Sequence, residues 1–199
     1  MIKSSFGEGL DARIQRIFPF LFRRPLNPNL LSVLGLVFSL AGAGGWASGA
    51  FREGLVLVLL GGFFDLVDGV VARHNGTSSA FGAFLDSTLD RVVDGALMLA
   101  LTLHYARLDD FVMAWVAGVG LVAMQLVSYT KARAETVLPD FKGGLLERAE
   151  RLVILMLGAL LGRMSWAVIL VTAGSVWTAG QRMAIARRRM AGLQPVADP

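Results

Sequence analysis

The chain has 199 residues, of which 55% are hydrophobic and only 17% charged, with a formal net charge of +4; the charged share falls below the roughly 25% usual for soluble domains. That length suits one domain, and the long apolar runs place it among integral membrane proteins rather than nucleic-acid binders, the positive balance being the Lys/Arg excess of cytoplasmic, lipid-facing segments. With no cysteine and only His74 and His104, a disulfide framework, a thiolate site and a multi-histidine zinc site are excluded, so any metal must be held by oxygen, which favours magnesium, manganese or calcium.

Residues 1–26 form the first unit. Phe6, Leu10, Ile14, Ile17, Phe18 and Leu21 recur at helical spacing while Asp11, Arg13, Gln15 and Arg16 take the other faces. This is the pattern of an amphipathic helix lying on a membrane surface, kinked at Pro19. No cleavable signal peptide is expected, because Glu8, Asp11 and the arginines interrupt any short apolar core.

Residues 27–189 read as six transmembrane helices, so the fold class is an all-α integral membrane protein. The expected spans are 29–49, 55–73, 81–105, 111–130, 147–162 and 166–186, with a short tail at 190–199 expected to be disordered. Phe51–Gly54 and Arg107–Asp110 read as tight turns, and Pro139–Gly144 as the longest loop. With both termini on one side, that side collects 15 of the 19 Lys/Arg, against Arg52, Arg107 and Arg163 opposite and Arg91 within a span. The asymmetry places the termini and the two longer loops in the cytoplasm, and with them the unusual charge. No internal repeat of the kind that builds inverted-repeat transporters is visible.

That unusual charge is a set of aspartates. Asp65 and Asp68 are three apart and Asp86 and Asp90 four apart, so each pair shares one helix face. A carboxylate at the bilayer centre costs about 2.5–3.5 kcal/mol on insertion scales, so four within 26 residues require a compensating partner. A short connection makes the second and third helices antiparallel neighbours. The two pairs can then face one another across a groove and hold two divalent cations, as in two-metal phosphoryl chemistry. Gly69 and Gly82 remove side chains where a ligand must approach backbone, and Arg73 could meet a phosphate. A cation transporter would also use intramembrane carboxylates, but it leaves the glycines and the arginine unexplained.

The arrangement D-x-x-D-G-x-x-A-R, eight residues, G-x-x-x-D-x-x-x-D, present at Asp65–Asp90, resembles the signature of the CDP-alcohol phosphotransferase family. The six-span layout with a surface helix is similar as well. The resemblance implies metal-dependent transfer of a phosphatidyl group from CDP-diacylglycerol to an alcohol, with release of CMP. It implies Mg2+ or Mn2+, two ions, held by Asp65, Asp68, Asp86 and Asp90, with Asp90 also the general base. It implies CDP-lipid contacts from Gly69, Ala72, Arg73 and Gly82, joined by Asn29 and Ser32 where the family often has a cytidine contact. It implies a homodimer among membrane lipids.

A second constellation is cationic: Lys131, Arg133, Arg148, Arg151 and Arg182. Five cations on three helices near one aspartate site point to an acceptor that carries a phosphate. The stretches Ser128–Glu135, Glu147–Arg151 and Gln181-Arg182 are similar to those of bacterial phosphatidylinositol phosphate synthases, which implies inositol 1-phosphate as acceptor. Glycerol 3-phosphate, the acceptor of a phosphatidylglycerophosphate synthase, is the nearest alternative. Asp94 lies outside the signature and receives no role.

Overall fold

The computed structural model describes residue 16, residues 18–22 and residues 27–192. Most of the expected surface helix lies outside the described residues, as does the tail from 193 onward. Within the described part a short 3-10 turn, Pro19–Phe22, precedes six α-helices: α1 Pro28–Ala47, α2 Phe51–His74, α3 Ala80–Arg107, α4 Phe111–Glu135, α5 Arg148–Leu161 and α6 Met164–Met190. Among the described residues there is no strand.

The helix ends follow from local chemistry. Asn27 caps α1 by accepting the Asn29 N–H at 3.0 Å, with Pro28 in the first turn, where its missing donor costs nothing. Ser79 caps α3 through the Gly82 N–H at 3.0 Å, and Asp110 caps α4 through the Met113 N–H at 3.0 Å. Gly162 closes α5 in the left-handed region at φ 66°. The expected turn at Phe51–Gly54 is instead the first turn of α2. The reversal falls one step earlier, at Gly49 with φ 86°, and Trp46 Nε1 donates to the Phe51 carbonyl at 3.1 Å to lock it.

By length and composition α1, α2 and α4 can each cross a membrane. The first four turns of α3 carry Asp86, Asp90, Arg91 and Asp94. At 14 residues, α5 is about 21 Å long, against a hydrocarbon core of roughly 30 Å. Trp46, Leu97, Met98, Leu101, Met124, Leu155, Val168 and Val171 form the main core from α1, α3, α4, α5 and α6. A second, smaller core gathers Leu31, Val67, Val70 and Val71 with Phe18, Phe22, Phe63 and Phe64. It braces the half of α2 that carries Asp65 and Asp68.

The most extensive helix contact is α1 against α2, and small residues make it possible. A β-carbon added at Gly61 would press on Ser39 Oγ and lie 2.8 Å from the Gly35 carbonyl oxygen. One added at Gly54 would lie 2.5 Å from the ring of fully buried Trp46. Backbone-to-backbone approach of this kind replaces the hydrophobic drive that lipid surroundings do not supply. The loop after α4 is also tied down. Phe141 is buried, the Leu146 N–H donates to Thr178 Oγ1 at 3.0 Å, and Gly143 and Gly144 have φ of 149° and 112°.

Replacing Gly61→Ala is expected to destabilise the protein by about 1–3 kcal/mol, the range for overpacking a tight contact. A lowered Tm in detergent would show it. Gly44→Ala, where an added β-carbon meets nothing within 4 Å, is expected to stay within about 0.5 kcal/mol. Equal effects at the two positions would contradict the close-packed seam.

Candidate active site

Asp65 and Asp68 lie on α2 and Asp86 on α3, and the crossing of these helices brings one oxygen from each to within 4.8 Å of the others. Asp68 is buried. The Ser32 hydroxyl donates to Asp68 Oδ2 and also reaches the Pro28 carbonyl at 3.2 Å, so α1 fixes the orientation of that carboxylate. Three oxygen donors this close suit a hard divalent cation; their mutual repulsion is relieved when one binds. This is the one such cluster of potential ligands among the described residues.

Asp90 stands apart from the three. It lies one turn further along α3, and Arg148 Nη1 approaches its Oδ1 to 2.9 Å. The same Arg148 atom lies 3.7 Å from Asp65 Oδ2, and its Nε lies 3.4 Å from Asp94 Oδ1. Arg148, expected from its sequence context to face the acceptor, thus lies against three carboxylates. Sequence spacing could not show this, because its partners lie on helices that approach α5 only through tertiary packing.

A groove of about 710 Å3 opens beside the carboxylates. It is lined by Asn29 and Ser32 of α1, Asp65, Asp68, Gly69, Ala72 and Arg73 of α2, residues 77–79, and Gly82 and Asp86 of α3. All six residues expected to contact a CDP-lipid lie along this one surface. Helix capping does not account for Asn29, since Asn27 is the cap of α1. A second, largely apolar groove of about 520 Å3 runs past Gly35, Gly61, Gly62, Leu89 and Leu152. It shares Ser32, Asp65 and Leu66 with the first and ends at Asp90 and Arg148.

The other expected cations are placed unequally. Arg151 is 1% exposed, and its Nη2 lies 3.1 Å from Asp94 Oδ2. Arg182 is 3% exposed; its Nε donates to the Gly143 carbonyl at 2.8 Å and its Nη1 to the Val127 carbonyl at 2.6 Å. Arg182 therefore joins α6, the end of α4 and the docked loop. Lys131 lies one turn beyond Val127 on α4, and Arg133 is exposed near the end of that helix. The residue the sequence left without a role, Asp94, is 2% exposed and pairs with two arginines. Its signal was present as a further carboxylate four residues after Asp90.

The helices and the site together define a membrane-type helical protein with a cluster of carboxylate oxygens beside a groove at one end of the bundle. The CDP-alcohol phosphatidyltransferase family matches residues 26–188, and the chain belongs to that family. It is 47% identical over 143 residues to a phosphatidylinositol phosphate synthase of Streptomyces avermitilis, a match covering 70% of this chain and 59% of that protein. It is 35% identical over 181 residues to an archaetidylinositol phosphate synthase of Methanothermobacter thermautotrophicus, covering 87% and 90%. Crystal structures of Mycobacterium tuberculosis phosphatidylinositol phosphate synthase share the fold. The form with CDP-DAG bound has a TM-score of 0.80 at 30% identity, covering 96% of this chain and 98% of that one. The form in complex with manganese and citrate has a TM-score of 0.83 at 32% identity, covering 92% and 93%. The apolar helices and the family make this chain a membrane protein and an enzyme of the phosphatidyltransferase class.

If the carboxylate cluster is the metal site, Asp68→Asn should weaken Mn2+ binding to the purified protein by at least roughly tenfold, the lower range for disturbing a metal's coordination. Calorimetric titration measures it. Unchanged affinity with intact folding would show that the ion binds elsewhere.

Proposed function

We propose that this protein is a phosphatidylinositol phosphate synthase. It transfers the phosphatidyl group of CDP-diacylglycerol to inositol 1-phosphate and releases CMP. The observation that carries the reading is the convergence of Asp65, Asp68 and Asp86 within 4.8 Å beside a groove lined by all six expected donor contacts. The names of the relatives, and the CDP-DAG and manganese of the tuberculosis structures, support it.

In this reading the CDP moiety lies along Asn29, Ser32, Gly69, Ala72, Arg73 and Gly82. Gly69 and Gly82 let it approach the helix backbones, and the apolar groove past Gly35 and Gly61 takes an acyl chain. Asp65, Asp68 and Asp86 would hold Mg2+ or Mn2+, with Asp90 completing a two-ion site, and the ions would supply positive charge against the pyrophosphate and the departing CMP. The acceptor hydroxyl oxygen forms a bond to the lipid-linked phosphorus. The bond from that phosphorus to the bridging pyrophosphate oxygen breaks, and CMP carries that oxygen away. Asp90, next to Arg148, aligns the hydroxyl and takes its proton. Of Lys131 and Arg133, which point to opposite sides of α4, one faces the acceptor phosphate together with Arg151 and Arg182, with Arg148 between the two halves of the site.

The chain crosses the bilayer six times. Although α5 is short, it begins level with Asp65 and Asp90, which Arg148 touches. Asp90 lies ten residues into α3, about 15 Å along its axis, so the docked 136–147 connection has already carried the chain inward. The Lys/Arg bias puts the termini and the site on the cytoplasmic side. Outward-facing Val112, Trp115 and Val122 meet lipid or the second copy of a homodimer.

The deciding experiment incubates the protein with CDP-diacylglycerol, Mn2+ and either inositol 1-phosphate or glycerol 3-phosphate. Metal-dependent CMP release with inositol 1-phosphate is expected. Release with glycerol 3-phosphate alone would make the protein a phosphatidylglycerophosphate synthase. No release with either, together with Mn2+ flux into vesicles, would point to a cation transporter.

A further inference from the structure

Asp94 belongs to no part of the machinery described so far, yet it is among the most deeply buried charges of the chain, at 2% exposure. A carboxylate in an apolar bundle persists only when it is paired. Each of its oxygens takes a different arginine: Oδ2 meets Arg151 Nη2 at 3.1 Å and Oδ1 meets Arg148 Nε at 3.4 Å. The two arginines are three residues apart in the first turn of α5, so Asp94 screens two like charges from one another.

The hydrogen bonding of Arg151 is incomplete. Its side chain is 1% exposed, and its Nε and Nη1 have no hydrogen-bond partner among the described residues. Buried guanidinium donors are seldom left unpaired, and a phosphate is the acceptor that such donors suit best. The Arg182 and Arg148 charges are within electrostatic reach of Arg151, so an anion arriving there meets more than one cation. Arg148, held at its Nε by Asp94, directs its Nη1 to Asp90.

We propose that Asp94 is a positioning residue for the acceptor phosphate. It holds the Arg151 guanidinium by one nitrogen and leaves the other two donors for the phosphate oxygens, while it keeps Arg148 against Asp90. This rests on the reading of Arg151 as an acceptor-site residue. Asp94 touches neither substrate in this account; it acts through the two arginines.

The test measures CMP release by wild type, Asp94→Asn and Asp94→Glu while each substrate is titrated separately, with Tm recorded for each protein. Asp94→Asn is expected to raise the acceptor KM by roughly tenfold or more while the CDP-diacylglycerol KM moves less than about threefold. Asp94→Glu, which keeps the charge, is expected to recover most of that loss. An unchanged acceptor KM, or two KM values rising together, would overturn the proposal, as would a lowered Tm with both KM values unaltered. Should Asp94→Asn fail to fold, the comparison moves to Arg151→Gln with and without Asp94→Asn, where the arginine still beside a neutral residue 94, Arg148, keeps Asp65 and Asp90 as partners. The second change is then expected to shift the acceptor KM by less than about threefold, because its effect runs through a residue already removed. A further tenfold rise would overturn it. If wild type uses glycerol 3-phosphate instead of inositol 1-phosphate, the acceptor reading fails, and the same comparison made with glycerol 3-phosphate still decides for or against Asp94.

Discussion

Like charges held close together in an apolar bundle are the constraint on which this structure turns. One oxygen from each of Asp65, Asp68 and Asp86 lies within 4.8 Å of the others. At that distance each pair of unit charges repels by about 3–4 kcal/mol, even at an effective dielectric constant of 20. Helix packing must hold the group together against that repulsion. The glycine seam between α1 and α2 brings Ser32 to Asp68. The Ser79 cap starts α3 where Asp86 will face α2. The small aromatic core around Phe18, Phe22 and Phe63 braces α2 from its other side. A cation placed among the three oxygens would convert the repulsion into attraction, so the packing that gathers the carboxylates is also what would organise a bound ion.

Beyond the three carboxylates, charge alternates through the bundle. Arg148 answers Asp65 and Asp90, Asp94 answers Arg148, and Arg151 answers Asp94. Arg182 closes the far side by binding two backbone carbonyls, which fastens the 136–147 connection to α4 and α6. The consequence is functional as well as structural. The groove beside the carboxylates and the cationic region are joined by a set of paired groups, so in the proposed reading an ion or a phosphate arriving at one end would change what its neighbours face. Arg148, which touches carboxylates on both sides, is the link between them.

Much of this was legible in the sequence. Three-residue and four-residue spacing put Asp65 with Asp68 and Asp86 with Asp90, and a short polar connection made their helices neighbours. That is enough to bring carboxylates together, because helical periodicity is local. The helix limits were also readable, since Asn27, Ser79, Asp110 and Gly162 carry ordinary capping chemistry. What spacing could not give were contacts between distant helices. Asp94 and its two arginines are 54 and 57 residues apart, so its spacing from Asp90 marks it as a further carboxylate on that face but does not name its partners. For the same reason Arg182 could be read as an acceptor ligand but not as a clasp on Gly143 and Val127. Asp90 shares a face with Asp86, yet the crossing of α2 and α3 leaves it one turn past the cluster, beside Arg148. The start of α2 was misplaced because Phe51–Gly54 holds two charges and a glycine, whereas the reversal depends on the backbone of Gly49.

The central claim is that the aspartate cluster is a divalent-cation site, and a cation there would repel the Arg148 guanidinium that lies 3.7 Å from Asp65. Anomalous scattering from crystals containing Mn2+ tests it most directly. The account predicts an anomalous peak within coordination distance of Asp65, Asp68 and Asp86, with Arg148 drawn away from Asp65 and still paired with Asp94. A peak elsewhere in the bundle, or none at saturating Mn2+ with Arg148 unmoved, would contradict it.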